Sequence, residues 1–263
     1  MGIPTLDTMC GRFALDLDWD NVARWLDVPG SGVVRADLPA PSYNVAPKQT
    51  IAMVAAGRDG VRHLEGARWS LVPPWSPSRD LPYPTYNARV ESIASKPTFA
   101  ASTRSMRAII PASGYYEWKG GATGRPYYFH MDDGKPLAMA GLFSWWRPAL
   151  PSSPRTRAAD DVRHAQAVPW QLTVTIVTCP AVDGPSSVHH RMPLLVPDGM
   201  VDAWLDRSVE GEPLLGPLRK AGAGLSRTLR FHEVAPLPDP ADGAAGGPEL
   251  IVPLRRPQAG TLF

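Results

Sequence analysis

Four short clusters in the chain combine side chains able to do chemistry: Cys10-Gly11-Arg12-Phe13, Asn87-Ala88-Arg89-Val90-Glu91, Gly114-Tyr115-Tyr116-Glu117-Trp118 and His189-His190-Arg191-Met192-Pro193. In three of them a reactive or hydrogen-bonding group stands two residues before an arginine: Cys10/Arg12, Asn87/Arg89 and His189/Arg191. Extended backbone would project each such pair from one face. A site built this way sets thiol, amide and imidazole beside three guanidiniums, a set suited to a phosphodiester-bearing substrate. The same pattern also arises by chance in an arginine-rich chain, and only five of the 27 basic residues are lysine.

Glu117 is the one charge among aromatics in its cluster, and alternation puts it on the face of Tyr115, away from Trp118. A carboxyl in apolar surroundings has its pKa raised by desolvation, as a general acid requires. The plainer reading is an edge charge that discourages aggregation. His189 likewise has a plainer reading, as a structural hydrogen-bonder. His189 and His190 lack a second ligand pair at usable spacing, so no metal and no cofactor are expected.

The elements that must position these groups are mostly strands. Asp18–Val28 has helical spacing with Asp18 as N-cap, and Met200–Leu205 reads as a second short helix. Ile51–Ala56, Ala67–Val72, Arg107–Ile110, Gly114–Trp118, Pro126–Met131, Pro136–Leu142 and Gln171–Thr178 read as strands. Asn87–Ala101 is expected to be helical in part, with Pro97 ending or kinking it. Residues 147–169 read as a long loop and 236–247 as a Pro/Ala/Gly linker before an apolar Glu249–Leu254 strand. The expected fold class is α+β: a single domain around a curved, barrel-like, mostly antiparallel sheet with a few flanking helices.

Bulk properties agree with one globular domain. The 263 residues can bury a sizeable core, and the 30 prolines and 23 glycines argue for many turns. A net charge of +2 neither implies nor excludes nucleic acid. No apolar run reaches membrane-spanning length, so no membrane partner is expected. Residues 1–8 have no signal-peptide character, so a cytoplasmic setting with both cysteines reduced is expected. Cys179, in an apolar strand, reads as a small buried hydrophobe, which leaves Cys10 to explain.

Taken together, Met9-Cys10-Gly11-Arg12-Phe13, Tyr43-Asn44-Val45-Ala46-Pro47, Arg68-Trp69-Ser70-Leu71-Val72-Pro73-Pro74-Trp75, Asn87-Ala88-Arg89-Val90-Glu91-Ser92, Gly114–Trp118 and His189-x-Arg191-Met192-Pro193 resemble the abasic-site processing proteins, also called the SOS response-associated peptidase family. The resemblance runs in order over residues 9 to about 197, with Glu249–Leu254 similar to the closing strand. It implies a domain over 10–254, preceded by a leader, 1–9, absent from the active form and followed by a tail, 255–263. It also implies a monomer that shields abasic sites in single-stranded DNA by cross-linking to them, associating with the nucleoid when engaged on DNA. On this resemblance Cys10 is the nucleophile, Asn87 orients the opened sugar, and Glu117 and His189 transfer protons. Arg12, Arg89 and Arg191 hold phosphates, while Asn44, Pro47, Trp75 and Trp118 shape the DNA cleft and Thr178 lies near the reactive end. The chain departs from the family in the residues before Cys10, in Val182 where asparagine is expected, in Ala108 where cysteine is common, and in 232–247, which lacks the usual Val/Asn-rich stretch.

The chemistry is coherent. An α-amine with a pKa near ~8 is partly neutral at pH 7 and condenses with the open aldehyde of an abasic deoxyribose. A thiol on the same residue then closes a five-membered thiazolidine, which requires Cys10 to be N-terminal. Either translation from Met9 or cleavage, including self-cleavage, would expose it. Two other readings stand beside this one. One is a cysteine peptidase or amidohydrolase with Cys10 as nucleophile, His189 as base and Glu117 orienting it; the other is a passive single-strand binder that stacks bases on Trp75 and Trp118.

Overall fold

A computed structural model describes residues 11–148, 169–240 and 246–254. The chain runs through β1 (Arg12–Leu15), α1 (Trp19–Trp25), β2 (Ser42–Val45), β3 (Thr50–Ala56), β4 (Arg62–Trp69), β5 (Asn87–Arg89), α2 (Pro97–Ser105) and β6 (Arg107–Ala112). It continues through β7 (Gly114–Lys119), β8 (Arg125–Met131), β9 (Leu137–Trp146), β10 (Gln171–Pro180), α3 (Asp183–Ser186), β11 (Arg191–Pro193), α4 (Asp198–Leu205), α5 (Glu212–Ser226) and β12 (Leu229–Glu233).

Two sheets result, and the fold is the expected α+β domain. In the first, β10, β4, β3, β6 and β9 follow one another, and β9 pairs back onto β10, so the sheet closes into a five-stranded barrel. Within the barrel only β10 and β4 run parallel, through Thr173 and Val174; outside it, β5 adds to β10 in parallel and β11 in antiparallel fashion. The second sheet has the order β12-β8-β7-β1-β2 and is antiparallel throughout. Its inner face sends Phe13, Tyr115 and Phe129 into the main core, where Phe13 meets Trp69 of the barrel edge-on at 5.1 Å. Its outer face holds a smaller cluster of Ala14, Tyr116, Tyr128 and Val234. β10 is buried from Leu172 to Cys179, on both faces, which is why it reads as an unbroken apolar run.

Several elements follow directly from local chemistry. Asp18 caps α1 by accepting the Asn21 N–H at 2.8 Å, while Val22 and Ala23 face the core. Pro97 does the opposite of what was expected. It opens α2 at the first helical position, where a missing N–H costs nothing, and Asn87–Arg89 is a strand. β4 lies earlier than expected and ends at Trp69, since the chain turns there with Ser70 N–H donating to Arg68 O at 2.9 Å. Glu249–Leu254 is not a closing strand. Pro248 starts a 3₁₀ turn to Ile251, and Pro253 has no N–H to give a ladder; only Leu254 N–H reaches Glu233 O, at 2.8 Å. The sequence reading missed α5, whose interior Pro217 and glycines mask buried positions at Leu215, Leu218, Gly222 and Ser226. Cys10, the 1–9 leader, most of the 147–169 loop, part of the 236–247 linker and the 255–263 tail lie outside the described residues. No helix of the described residues is long and apolar enough to cross a membrane.

Candidate functional site

The scaffold of the site is the C-terminal end of β10. Thr178, fully buried, pairs in register with Arg89 of β5 on one side and Pro193 of β11 on the other. Asn87 pairs with Ile176 two residues earlier. The asparagine and histidine clusters, about 100 residues apart in sequence, are thereby fixed to adjoining edges of one strand.

An ion pair locks this end. Arg191 is only 7% exposed and grips Glu91 with both arms, Nη1 to Oε1 at 2.6 Å and Nη2 to Oε2 at 3.0 Å. Nη2 also donates to the Thr178 carbonyl at 2.8 Å and its hydroxyl at 3.2 Å. Burial works to raise the Glu91 pKa, but the hydrogen bonds and charge of Arg191, helped by Arg89, outweigh it and hold the carboxylate below its usual range. The Arg191 fork is therefore committed within the protein, whereas Arg89 is exposed at the rim. Glu91 is the positioning residue that sequence reasoning did not single out. Its signal was present: a carboxylate four residues after Asn87 in the same cluster.

The second sheet supplies the other half. Arg12 pairs with Tyr116, which sets Glu117 one residue further along β7. Glu117 is 1% exposed, and its Oε1 lies 3.5 Å from His189 Nδ1 in the turn before β11. The same Nδ1 is 3.2 Å from both the N–H and the carbonyl of Arg191. Unprotonated, it accepts the Arg191 N–H; protonated, it faces the carboxylate and that carbonyl. A carboxylate and an imidazole thus face each other across the junction of the two sheets. The glycine opening this cluster is needed for close approach, since a Cβ on Gly114 would come within 2.4 Å of the Tyr128 ring and the Phe129 carbonyl.

Arg12 is held by Nη1, which donates to Asn44 Oδ1 at 2.6 Å and Pro238 O at 3.1 Å. Asn44 is buried and ties itself to the same carbonyl through Nδ2 at 3.2 Å, so it supports Arg12 from behind. Burial lowers the Arg12 pKa and nearby Asp239 works against that. Among the described residues nothing accepts a hydrogen bond from its Nε or Nη2.

The aromatic wall is more dispersed. Trp118 points to the outer face of its sheet and packs on the Tyr116–Tyr128 cluster with Tyr43, Leu237 and Ile251. Trp75 is 59% exposed on the loop after β4. Pro47 lines a groove of about 430 Å³ with Lys48, Asp80 and Tyr83. Cys179 is buried beside the Arg191 network, with its thiol pushed up to about 11 by burial.

Comparison with known proteins agrees with this architecture. A protein from Bacteroides thetaiotaomicron superposes with a TM-score of 0.70 at 19% identity, covering 94% of this chain and all of that one, and so shares the fold. A phage-related protein from Bordetella bronchiseptica gives 0.62 at 25% identity, over 86% and 95% of the two chains. The abasic site processing protein YoqW of Bacillus subtilis is 31% identical over 205 residues, 75% of this chain and 80% of that one. The abasic site processing protein YedK of Escherichia coli is 30% identical over 229 residues, 86% and 92% of the two. HMCES of Gallus gallus, also named an abasic site processing protein, is 27% identical over 94% of this chain and 78% of its own. The profile described as SOS response associated peptidase (SRAP) matches residues 9–237, and the chain belongs to that family.

Proposed function

We propose that this protein recognises abasic sites in single-stranded DNA and shields them through a covalent cross-link from Cys10. The observation that carries the reading is the Glu117–His189 pair, held at 3.5 Å between the two sheets. Cys10 is tethered to that place by chain length alone, because two peptide steps keep its Cα within about 8 Å of that of Arg12. The similarity to abasic site processing proteins supports the substrate class.

The steps balance as a condensation. The neutral α-amine of Cys10 adds to the C1 aldehyde of the opened sugar, and water leaves to give an iminium. The thiol sulfur then adds to the same carbon as its proton is lost, closing the thiazolidine with net release of one water. Glu117 and His189 pass the protons, and Asn87 orients the sugar. Arg12 and Arg89 hold the flanking phosphates; Arg191, expected from the sequence to hold a phosphate too, instead has its fork taken up by Glu91 and Thr178 and braces this end of the site. Asn44, Pro47, Trp75, Trp118 and Thr178 shape the surrounding cleft. This chemistry needs Cys10 to be N-terminal, so the active form begins there, by translation from Met9 or by release of the preceding residues. The protein acts as a monomer in the cytoplasm, on the nucleoid.

Intact-mass analysis tests the reading. Protein mixed with an abasic single strand should gain the strand's mass less one water, on a chain starting at Cys10. Blocking the α-amine should abolish the adduct. A peptidase using the thiol alone would keep its activity with the amine blocked, and an adduct formed on a chain that retains residues 1–9 would sink the thiazolidine step. Glu117→Gln should slow adduct formation by about 10²-fold while DNA binding persists.

A further inference from the structure

At the far end of the barrel a second surface has the composition of a nucleic-acid contact. Trp145 pairs with Leu172, six residues before Thr178 on β10, which separates this wall from the candidate site by about 20 Å. Trp145 is 42% exposed beside a cavity of about 430 Å³ that Phe143, Met106, Arg58, Arg207, His63 and Glu65 also line. Trp170, 51% exposed, immediately precedes β10, with the Arg147 guanidinium 4.5 Å from its ring centroid. Two exposed tryptophans on one surface are unusual where no ligand covers them.

We infer that this wall is a second, sequence-independent contact for single-stranded DNA, with a base stacked on Trp145 over the cavity and phosphates held by Arg58 and Arg207. Trp170 and Arg147 continue the track. The charge balance favours a polyanion: Arg58 and Arg207 line the cavity, Arg147 lies over Trp170, and Glu65 is the one carboxyl among the cavity's lining residues. Burial pushes the Glu65 pKa up, opposed by His63 and reinforced by Asp37, which weakens the one carboxylate charge in the cavity lining. Stacking on an aromatic with arginines along the backbone is how sequence-tolerant single-strand binders work.

The inference rests on the reading that the chain binds abasic single strands, and strand length separates the two. A tetrahydrofuran abasic analogue has no aldehyde, so its binding is measured without cross-linking. With roughly two nucleotides on each side it falls short of the 20 Å span; with roughly ten it reaches the wall. Trp145→Ala and Arg58→Glu should each weaken binding of the long strand by about tenfold and leave the short strand unchanged. Arg58 sits on the exposed turn before Gly60, so its reversal keeps the fold even if the tryptophan variant does not. Equal affinity of parent and Arg58→Glu protein for the long strand would overturn the second contact, as would equal weakening on both strands. Failure of the parent protein to bind either strand would instead overturn the primary reading.

Discussion

Glu91→Gln keeps the shape of the side chain and removes the charge that Arg191 grips. The cost follows from burial. A fully exposed pair is worth about 0–1 kcal/mol, and breaking a fully buried one costs about 3–5. Here the Arg191 side chain is 7% exposed and that of Glu91 38%, so the pair lies between the limits and about 2 kcal/mol is expected. For a domain of this size that lowers Tm by roughly 4–8 °C. Urea melts of Glu91→Gln, Arg191→Met and the double variant should give a coupling of about 1–2 kcal/mol. The pH dependence has a definite sign. The folded pKa of Glu91 is depressed, so its contribution is present above the unfolded value of about 4.3 and is lost as pH falls through the folded value. The gap between parent and variant should therefore be full at pH 7 and close in acid. A Glu91→Gln protein within about 0.5 kcal/mol of the parent at pH 7 would refute the argument.

Three further outcomes are expected. Arg107 is buried and donates to the carbonyls of Trp204 at 2.7 Å, Thr103 at 3.3 Å and Val209 at 2.9 Å, and also to those of Arg104 and Asp206; Arg107→Met should cost about 3 kcal/mol or more in a urea melt. With its thiol held at about 11, Cys179 should resist iodoacetamide at pH 8 in the native protein and react fully once unfolded, as peptide mapping would show. Arg12→Ala and Arg89→Ala should each flatten the log–log salt dependence of single-strand binding by roughly 0.7, and unchanged slopes would remove both from the interface.

Much of the fold was legible because its strands carry local signals: β6 to β10 follow β-branched and aromatic runs between turn residues. What stayed hidden depended on tertiary context. The closure of the barrel is a pairing between β9 and β10, and nothing within either strand states it. α5 contains Pro217, Gly216, Gly222 and Gly224, residues that argue against a helix until Leu215 and Leu218 are seen to be buried. Pro97 was read as a breaker although proline is equally suited to start a helix, and only the helix's direction from it decides. For the site, the i, i+2 pairs drew attention to three clusters, but residue type could not tell which arginine was committed. Arg89 and Arg191 look alike in sequence, yet one is exposed and the other is bound by Glu91 and Thr178.

The location of the carboxylate–imidazole pair carries its own consequence. Glu117 rides on β7 of the open sheet, while His189 stands before β11, which belongs to the barrel through Thr178 and Cys179. Their 3.5 Å separation is therefore set by how the two sheets pack rather than by either strand alone. Packing between the sheets runs through Phe13 against Trp69, and Phe13 lies in β1, the strand that leads back to Cys10. β1 thus pairs with the strand bearing Glu117 and packs against the barrel that carries His189 and Asn87. Side chains in a close-packed core transmit displacement because there is little free volume to absorb it. A change that loosened Phe13 would move β1 and the Glu117–His189 pair together, whereas a change confined to the rim at Arg89 would leave that pair in place. On the proposed function, proton transfer should therefore respond to packing at the seam, while the contact assigned to Arg89 should respond to changes at the rim alone.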